Sequence, residues 1–225
     1  MPVRPGTGVG GGSGANTYTD HGLLDLTVGS AVDVTTSGTV AVAGIGDVRV
    51  EGASAGSAGQ FNSLGVAAVT GSTAHRYGFA YAAYWPSLDP ADRHAVIAYF
   101  VEGTASGGGG PYVSTEISST QRTQLYRTGT QFLPAVINGT TSQDARAFTG
   151  TTALQAMAIV KDGNLARGAY WLDGDTVADP YDGRTDGRLS ASHPSAGVVP
   201  THALVGFAGA TSRNLHISGI RVLSY

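Results

Sequence analysis

Apolar residues in this chain alternate with polar or small ones in short runs and almost nowhere recur at helical spacing. LLDLTVGSAVDVTTSGTVAVAGIGDVRVEG, from Leu23, is a series of Val-, Thr-, Leu- and Ile-rich runs broken by Gly-Ser and Ser-Gly, the punctuation of β structure. In RYGFAYAAYW a period of two puts Tyr77, Phe79, Tyr81 and Trp85 on one face and Gly78, Ala80 and Ala82 on the other. This predicts a strand whose aromatic face belongs to the core or to a subunit interface. HAVIAYFV is almost continuously apolar, as a strand buried on both sides would be. GGGGPYVSTEIS, RTQLYR, FLPAVI, TALQAMAIV, LARGAYWL, HALVGFAGA and HISGIRVLSY continue the series, while the small-residue stretch GASAGSAGQFNSLG reads as a loop or weak boundary.

Helix signals are scarce. Asp89-Pro90 is suited to cap one turn through Asp92 and Arg93, since Asp accepts free N–H groups and Pro fits the first helical position. Strand after strand with Gly-rich turns predicts an all-β chain, a two-sheet antiparallel β-sandwich or jelly roll. It is preceded by a Gly-rich arm over residues 1–16 and a β-rich docking segment over 17–60; the sandwich itself takes 61–225.

The stretch IVKDGNLARGAYWLDGD, from Ile159, holds two Asp-Gly pairs. Asp-Gly supplies the positive φ of a tight turn, so KDGN predicts a hairpin connection and Asp173-Gly174 the end of the next strand. The order and spacing of this stretch resemble the laminin-G and concanavalin A-like lectin group. The C-terminal HALVGFAGATSRNLHISGIRVLSY is similar to the closing strands of legume-type lectins, through Val205, Gly206 and Phe207 and through Val222, Leu223, Ser224 and Tyr225. The likeness covers about residues 75–225 and implies a lectin-like jelly roll. No segment reproduces the calcium and manganese cluster of the legume type, nor the Glu-x-Asp-x-Glu strand of the glucanases in the group. The glutamates Glu51, Glu102 and Glu116 lie far apart in the chain, so nothing local supplies the carboxyl pair a glycosidase needs. The chain is expected not to be an enzyme.

Composition narrows the classes. The net charge is −3 and only 13% of residues are charged, so no electrostatic footprint for nucleic acid or an anionic membrane is present. Cysteine is absent, which removes disulfide frameworks and thiolate metal sites. MPVRPGTGVGGGSG has no apolar core of a secretory signal, and no run suits a membrane span. A Gly-rich arm, a short β segment and a lectin-like sandwich together resemble virion proteins of phages: minor tail, receptor-binding or capsid-decorating components. That resemblance implies a non-enzymatic structural protein assembled in the host cytoplasm. The arm would contact other virion proteins, and the sandwich would form a homo-oligomer and contact host-surface polysaccharide. The alternative is a carbohydrate-binding or glycan-hydrolysing domain of a bacterial extracellular protein.

The candidate ligand residues surround the second Asp-Gly. Trp171 alternates with Arg167, Ala169 and Asp173 on the more polar face of its strand, where an indole can serve as a sugar platform or lie beneath a crossing loop. Tyr181 and Asp175 in the following loop complete the carbohydrate-binding set of Trp171, Tyr181, Arg167, Asp173 and Asp175. Asp173, Asp175, Asp179, Asp182 and Asp186 crowd LDGDTVADPYDGRTDGR, but Arg184 and Arg188 compete for them and the spacing is wrong for an EF-hand. Solvated Asp-Gly turns are the expectation, with no metal and no cofactor. Six histidines have no metal-ligand spacing; His75 and His94 read as ordinary residues at strand edges.

Overall fold

Period-two alternation resolves into strands throughout a computed structural model, which describes residues 17–52, 58–70, 75–101, 110–118, 120–128, 131–138, 140–143, 146–147, 153–162, 165–177, 179–180, 189–192, 199–208 and 215–225. Two nine-stranded sheets, antiparallel at every pairing described, stack as a β-sandwich. The first runs β16 (Leu189–Ser192), β15 (Leu165–Leu172), β14 (Leu154–Asp162), β8 (His94–Val101), β18 (His216–Ser224), β6 (Gly65–Thr70), β5 (Ala58–Asn62) and β2 (Val32–Val34). Here β1 (Thr19–Asp25) also pairs with β18. The second runs β12 (Thr140–Gln143), β11 (Gln131–Asn138), β10 (Gln121–Thr128), β9 (Gly110–Ser118), β17 (His202–Ala208), β7 (His75–Ala80), β4 (Gly46–Glu51) and β3 (Gly38–Val42), with β13 (Arg146–Ala147) beside β11.

The expected β14–β15 hairpin and the second Asp-Gly turn both form; residues 163–164 lie outside the described residues. Asp162 pairs with Leu165 at the β14–β15 hairpin. At the second turn Gly174 has φ +89°, the Asp175 N–H donates to the Leu172 carbonyl, and the Leu172 N–H donates to Asp175 Oδ2. Residues 17–60 supply β1 to β4 and part of β5, and these strands enter both sheets; the expected boundary after residue 60 falls inside β5. The arm over residues 1–16 lies outside the described residues.

Three local expectations change. The second half of GASAGSAGQFNSLG is not a loop but forms β5 and the turn into β6, because Gln60 and Phe61 keep the alternation; residues 53–57 lie outside the described residues. RYGFAYAAYW is not one strand, since β7 ends at Ala80 and α1 (Tyr81–Tyr84) makes a single helical turn. That turn brings Trp85 back onto the core face, so the aromatic set is buried as expected. At Asp89, Oδ1 accepts the Ala91 N–H and the carbonyl accepts the Asp92 N–H, so the expected turn through Asp92 forms, as a tight turn rather than a helical one, and the helical turn sits upstream.

The core between the sheets is apolar and aromatic. Phe61 packs edge-on against Tyr77 at 5.2 Å, and Phe132 stacks on Tyr170 at 4.0 Å. Within it His94 is no edge residue: Nε2 lies 3.1 Å from Tyr81 Oη and 3.2 Å from Thr115 Oγ1, and Nδ1 lies 2.9 Å from the Asp92 carbonyl. His75 is likewise buried. Their burial follows from strand register, which places both rings on inward faces. Among the described residues no helix is long and apolar enough to cross a membrane.

Candidate functional site

Trp171 is not an open platform. It is 1% exposed on the outer side of the first sheet, in a cluster with Ala95, Ile97, Ala156, Ala158, Val160, Ala169 and Leu223, with Tyr18, Tyr99, Val177 and Tyr225 packed against it. The residues after β15 turn back towards this face, where the Tyr225 hydroxyl donates to Asp179 Oδ1. Arg167 lies 3.5 Å from Asp162 Oδ2 in an ion pair. Asp173 is exposed, and Asp175 is engaged in its own turn. Tyr181, Asp182 and Asp186 fall outside the described residues. Among the described residues no group of three or more His, Asp or Glu side chains could hold a metal ion.

A different constellation stands on the outer face of the second sheet. Period two dictates it: in β4, Val48 and Val50 point inward, so Asp47, Arg49 and Glu51 point out. By the same rule β7 turns Arg76 and Gly78 outward, and β9 turns Tyr112, Ser114 and Glu116. From β17 come His202, Leu204 and Gly206, and from β10 Arg122, Gln124 and Tyr126. Register aligns these positions in rows. Arg122, Glu116 and His202 share one, and Gln124, Ser114, Leu204, Gly78 and Arg49 the next. Tyr126, Tyr112, Gly206, Arg76 and Glu51 form the third.

Charge converges across these rows. Arg49 Nη2 donates to Glu116 Oε1 and lies 3.1 Å from Glu51 Oε1, so one guanidinium nitrogen joins two carboxylates from distant strands. Arg49 Nη1 is 3.5 Å from His202 Nδ1, and Thr201 Oγ1 is 2.7 Å from that nitrogen. Arg122 Nε donates to Gln124 Oε1 at 2.7 Å. Arg76 and Arg122 both approach the Tyr112 ring, at 5.6 and 6.0 Å from its centroid. Arg49, Glu51 and Arg76 are partly exposed, whereas Glu116 is 0% exposed, so the cluster runs from a partly exposed layer to a buried carboxyl.

Burial, followed by the charge of Glu51, pushes the Glu116 carboxyl up to about 7, against the pull of Arg49, Arg122 and Arg76. Burial and then Arg49 lower His202, favouring the neutral imidazole. Burial raises Tyr112. The hydrogen-bonding capacity of the cluster is not used up: Arg49 Nε, Glu51 Oε2, Arg76 Nη1, Glu116 Oε2 and Arg122 Nη1 are buried and make no hydrogen bond. Each such group costs about 1–3 kcal/mol, more when charged. Native folds carry few of them.

Sequence reading missed this site because its members come from five strands between residues 49 and 202. The legible signal was the alternation itself, which puts Arg-x-Glu in β4 and Tyr-x-Ser-x-Glu in β9 on faces opposite to valines. Gly78 is what lets the rows close: a Cβ there would stand 3.3 Å from Arg49 Cβ, Arg49 Nε and Leu204 Cγ. Gly78→Val is therefore expected to displace Arg49 from Glu116 and cost about 1–3 kcal/mol, as overpacking does. A urea melt superimposable on that of the parent protein would show that Arg49 is not pinned there.

A separate concavity of about 360 Å³ outside the first sheet is lined by Leu23, Tyr99, Ser218, Gly219 and Arg221. Arg221 is engaged there by Asp20.

No protein-family model and no curated protein matches the chain. Among solved structures, a protein of unknown function from Shewanella oneidensis MR-1 is similar at 12% identity and TM-score 0.47, over 96% of this chain and 90% of that one. The CBM2 module of the evolved Dit of Lactobacillus casei BL23 phage J-1 is similar at 10% identity and TM-score 0.45, over 92% and 96%. A mutant of Trypanosoma rangeli sialidase displaying trans-sialidase activity is similar at 11% identity and TM-score 0.41, over 92% of this chain and 30% of that one. Likenesses at this identity and TM-score assign the chain to no family.

Proposed function

We propose that the protein is a saccharide-binding β-sandwich of the lectin-like jelly-roll kind, a non-enzymatic virion component that meets host-surface glycan through the outer face of its second sheet. The observation that carries the reading is the convergence of buried atoms without hydrogen bonds at Arg49, Glu51, Arg76, Glu116 and Arg122. A sugar suits them because each hydroxyl both donates and accepts, and the cluster offers guanidinium donors beside carboxylate acceptors. A small number of placed polar groups is what fixes the orientation of a small ligand. The virion part rests on sequence organisation, a Gly-rich arm ahead of the sandwich, and the oligomeric state and arm partners belong to the same proposal.

The test is a panel of bacterial cell-wall and capsular polysaccharides presented to the full chain. Binding to at least one is expected, with affinity about tenfold weaker in Tyr112→Phe, which removes one hydroxyl and leaves the ring, a loss equal to about 1.4 kcal/mol. Binding unchanged in that variant and in Arg76→Gln would move the ligand elsewhere; no binding at all would end the reading.

One observation favours a second reading, glycan hydrolysis. Glu51 and Glu116 approach a common nitrogen, and Glu116 is held near neutrality, as a retaining pair of one ionised and one protonated carboxyl requires. Arg49 stands between them, however, in the space a scissile bond would need. Release of reducing ends from the bound polysaccharide, abolished in Glu116→Gln, would establish hydrolysis over binding.

A further inference from the structure

We infer that the glycan taken by this face is acidic, its carboxylate held by Arg122 with Arg76 as the second cationic contact across the Tyr112 ring. The inference deepens the saccharide reading and rests on it. Three guanidiniums, Arg49, Arg76 and Arg122, meet two carboxylates, Glu51 and Glu116, in one cluster of a chain whose overall charge is −3. The carboxylates are not shared equally. Arg49 touches both, and Arg76 approaches Glu51 only to 3.8 Å, beyond hydrogen-bond reach. Among the described residues Arg122 has no ion-pair partner; its Nε is spent on the neutral amide of Gln124, and Nη1 is buried without a hydrogen bond.

Arg122 as a whole is half-buried, but its Nη1 has lost water without gaining a hydrogen bond, and a carboxylate delivered by a ligand supplies one. The planar fork of arginine pairs with a carboxylate through two parallel bonds, which an uncharged hydroxymethyl group cannot reproduce. Tyr112 lies between the two arginines, with its ring against both and its hydroxyl buried in the same cluster. Together these positions describe a cationic step within a polar sugar site. An acidic residue of the chain, a uronate for example, would seat its carboxylate at Arg122 and extend its hydroxyls towards Arg49, Glu51 and Glu116.

Carboxyl reduction of a polysaccharide supplies the test, since it turns each carboxylate into a hydroxymethyl group and keeps the backbone. Oligosaccharides derived from pectin, hyaluronan and alginate, each with its carboxyl-reduced counterpart, are titrated calorimetrically into the full chain at pH 6.5. At least one acidic form is expected to bind tenfold or more tightly than its reduced form. In Arg122→Gln that preference should fall to about one. Arg122→Lys, which keeps the charge and loses the fork, should recover only part of it, and serves if the glutamine variant does not fold. Equal or tighter binding of the reduced forms would overturn the acidic ligand and leave the saccharide reading standing. Binding of neither form by the parent protein, alongside binding of neutral wall glycans, would do the same; binding of no glycan whatever would remove both.

Discussion

Trp171→Ala is expected to lower the stability of the folded chain by about 3–5 kcal/mol, the range for removing a large aromatic side chain from a packed site. For a chain of this size that corresponds to a fall in Tm of roughly 6–20 °C. The residues around it show why. Trp171 faces Ala156 across the β14–β15 pair, and Ala158 faces Ala169 one step along the ladder. Small side chains on this part of the sheet leave a shallow bed that only a ring as broad as indole fills, and Ile97, Val160 and Leu223 close it. Deleting the ring leaves a cavity that alanines cannot collapse into. The indole Nε1 is buried without a hydrogen bond, so Trp171→Phe removes an unsatisfied donor along with some volume and should cost less than the alanine change. Thermal melts of the two variants decide the matter. A Tm for Trp171→Ala within a degree or two of the parent protein would mean that the ring stands open to solvent and is again available as a sugar platform.

That expectation follows the covered-ring alternative for Trp171 rather than the sugar platform, a choice the polar alternation left open, and the reason is instructive. Alternation tells which face of a strand a side chain takes, and there it succeeded: Tyr170 and Leu172 pack against the core, while Trp171 and Ala169 share the outer face. It does not tell what crosses that face afterwards. Tyr18 comes from one end of the chain and Tyr225 from the other, and no local pattern announces that both will pack against the cluster that holds Trp171. The same limit hid the charged cluster. Glu51 and Glu116 are 65 residues apart, and a search for neighbouring carboxylates along the chain passes over them. Registers β4 to β7, β7 to β17 and β17 to β9 are what bring them to one guanidinium. Turns, by contrast, are local chemistry. Asp162-Gly163 and Asp173-Gly174 could be placed from the residues alone, and with them the hairpins that determine the all-β class.

Replacing Glu116 by Gln is expected to change how stability depends on pH, and His94 makes the sign of that change diagnostic. Glu116 is raised from 4.5 to about 7 in the folded chain, first by burial and then by Glu51. Between those values the folded state holds a proton that the unfolded chain has released. Its contribution is therefore complete below about 4.5, declines as pH rises and is gone above about 7. His94 runs the other way: burial lowers it from 6.5 to about 4, so below 6.5 the unfolded chain takes up a proton that the folded chain refuses. Its contribution is complete above 6.5 and is lost as pH falls towards 4. The two slopes oppose each other across their shared window, and each is on the order of 1–3 kcal/mol over its full range. Facing Glu116 are Arg49 and Glu51 from β4, Arg76 from β7, Arg122 from β10, Tyr112 from its own strand and His202 from β17. His202 adds a proton of its own near this range, and its lowered value works in the same direction as His94. In Glu116→Gln the opposing slope is gone, so stability should climb with pH between about 4.5 and 6.5 more steeply than in the parent protein. The difference between the two proteins should then widen up to about pH 7 and level off. Urea melts at half-unit pH steps measure it, and profiles that stay parallel across the window would mean that Glu116 ionises in the folded chain as an ordinary surface carboxylate does.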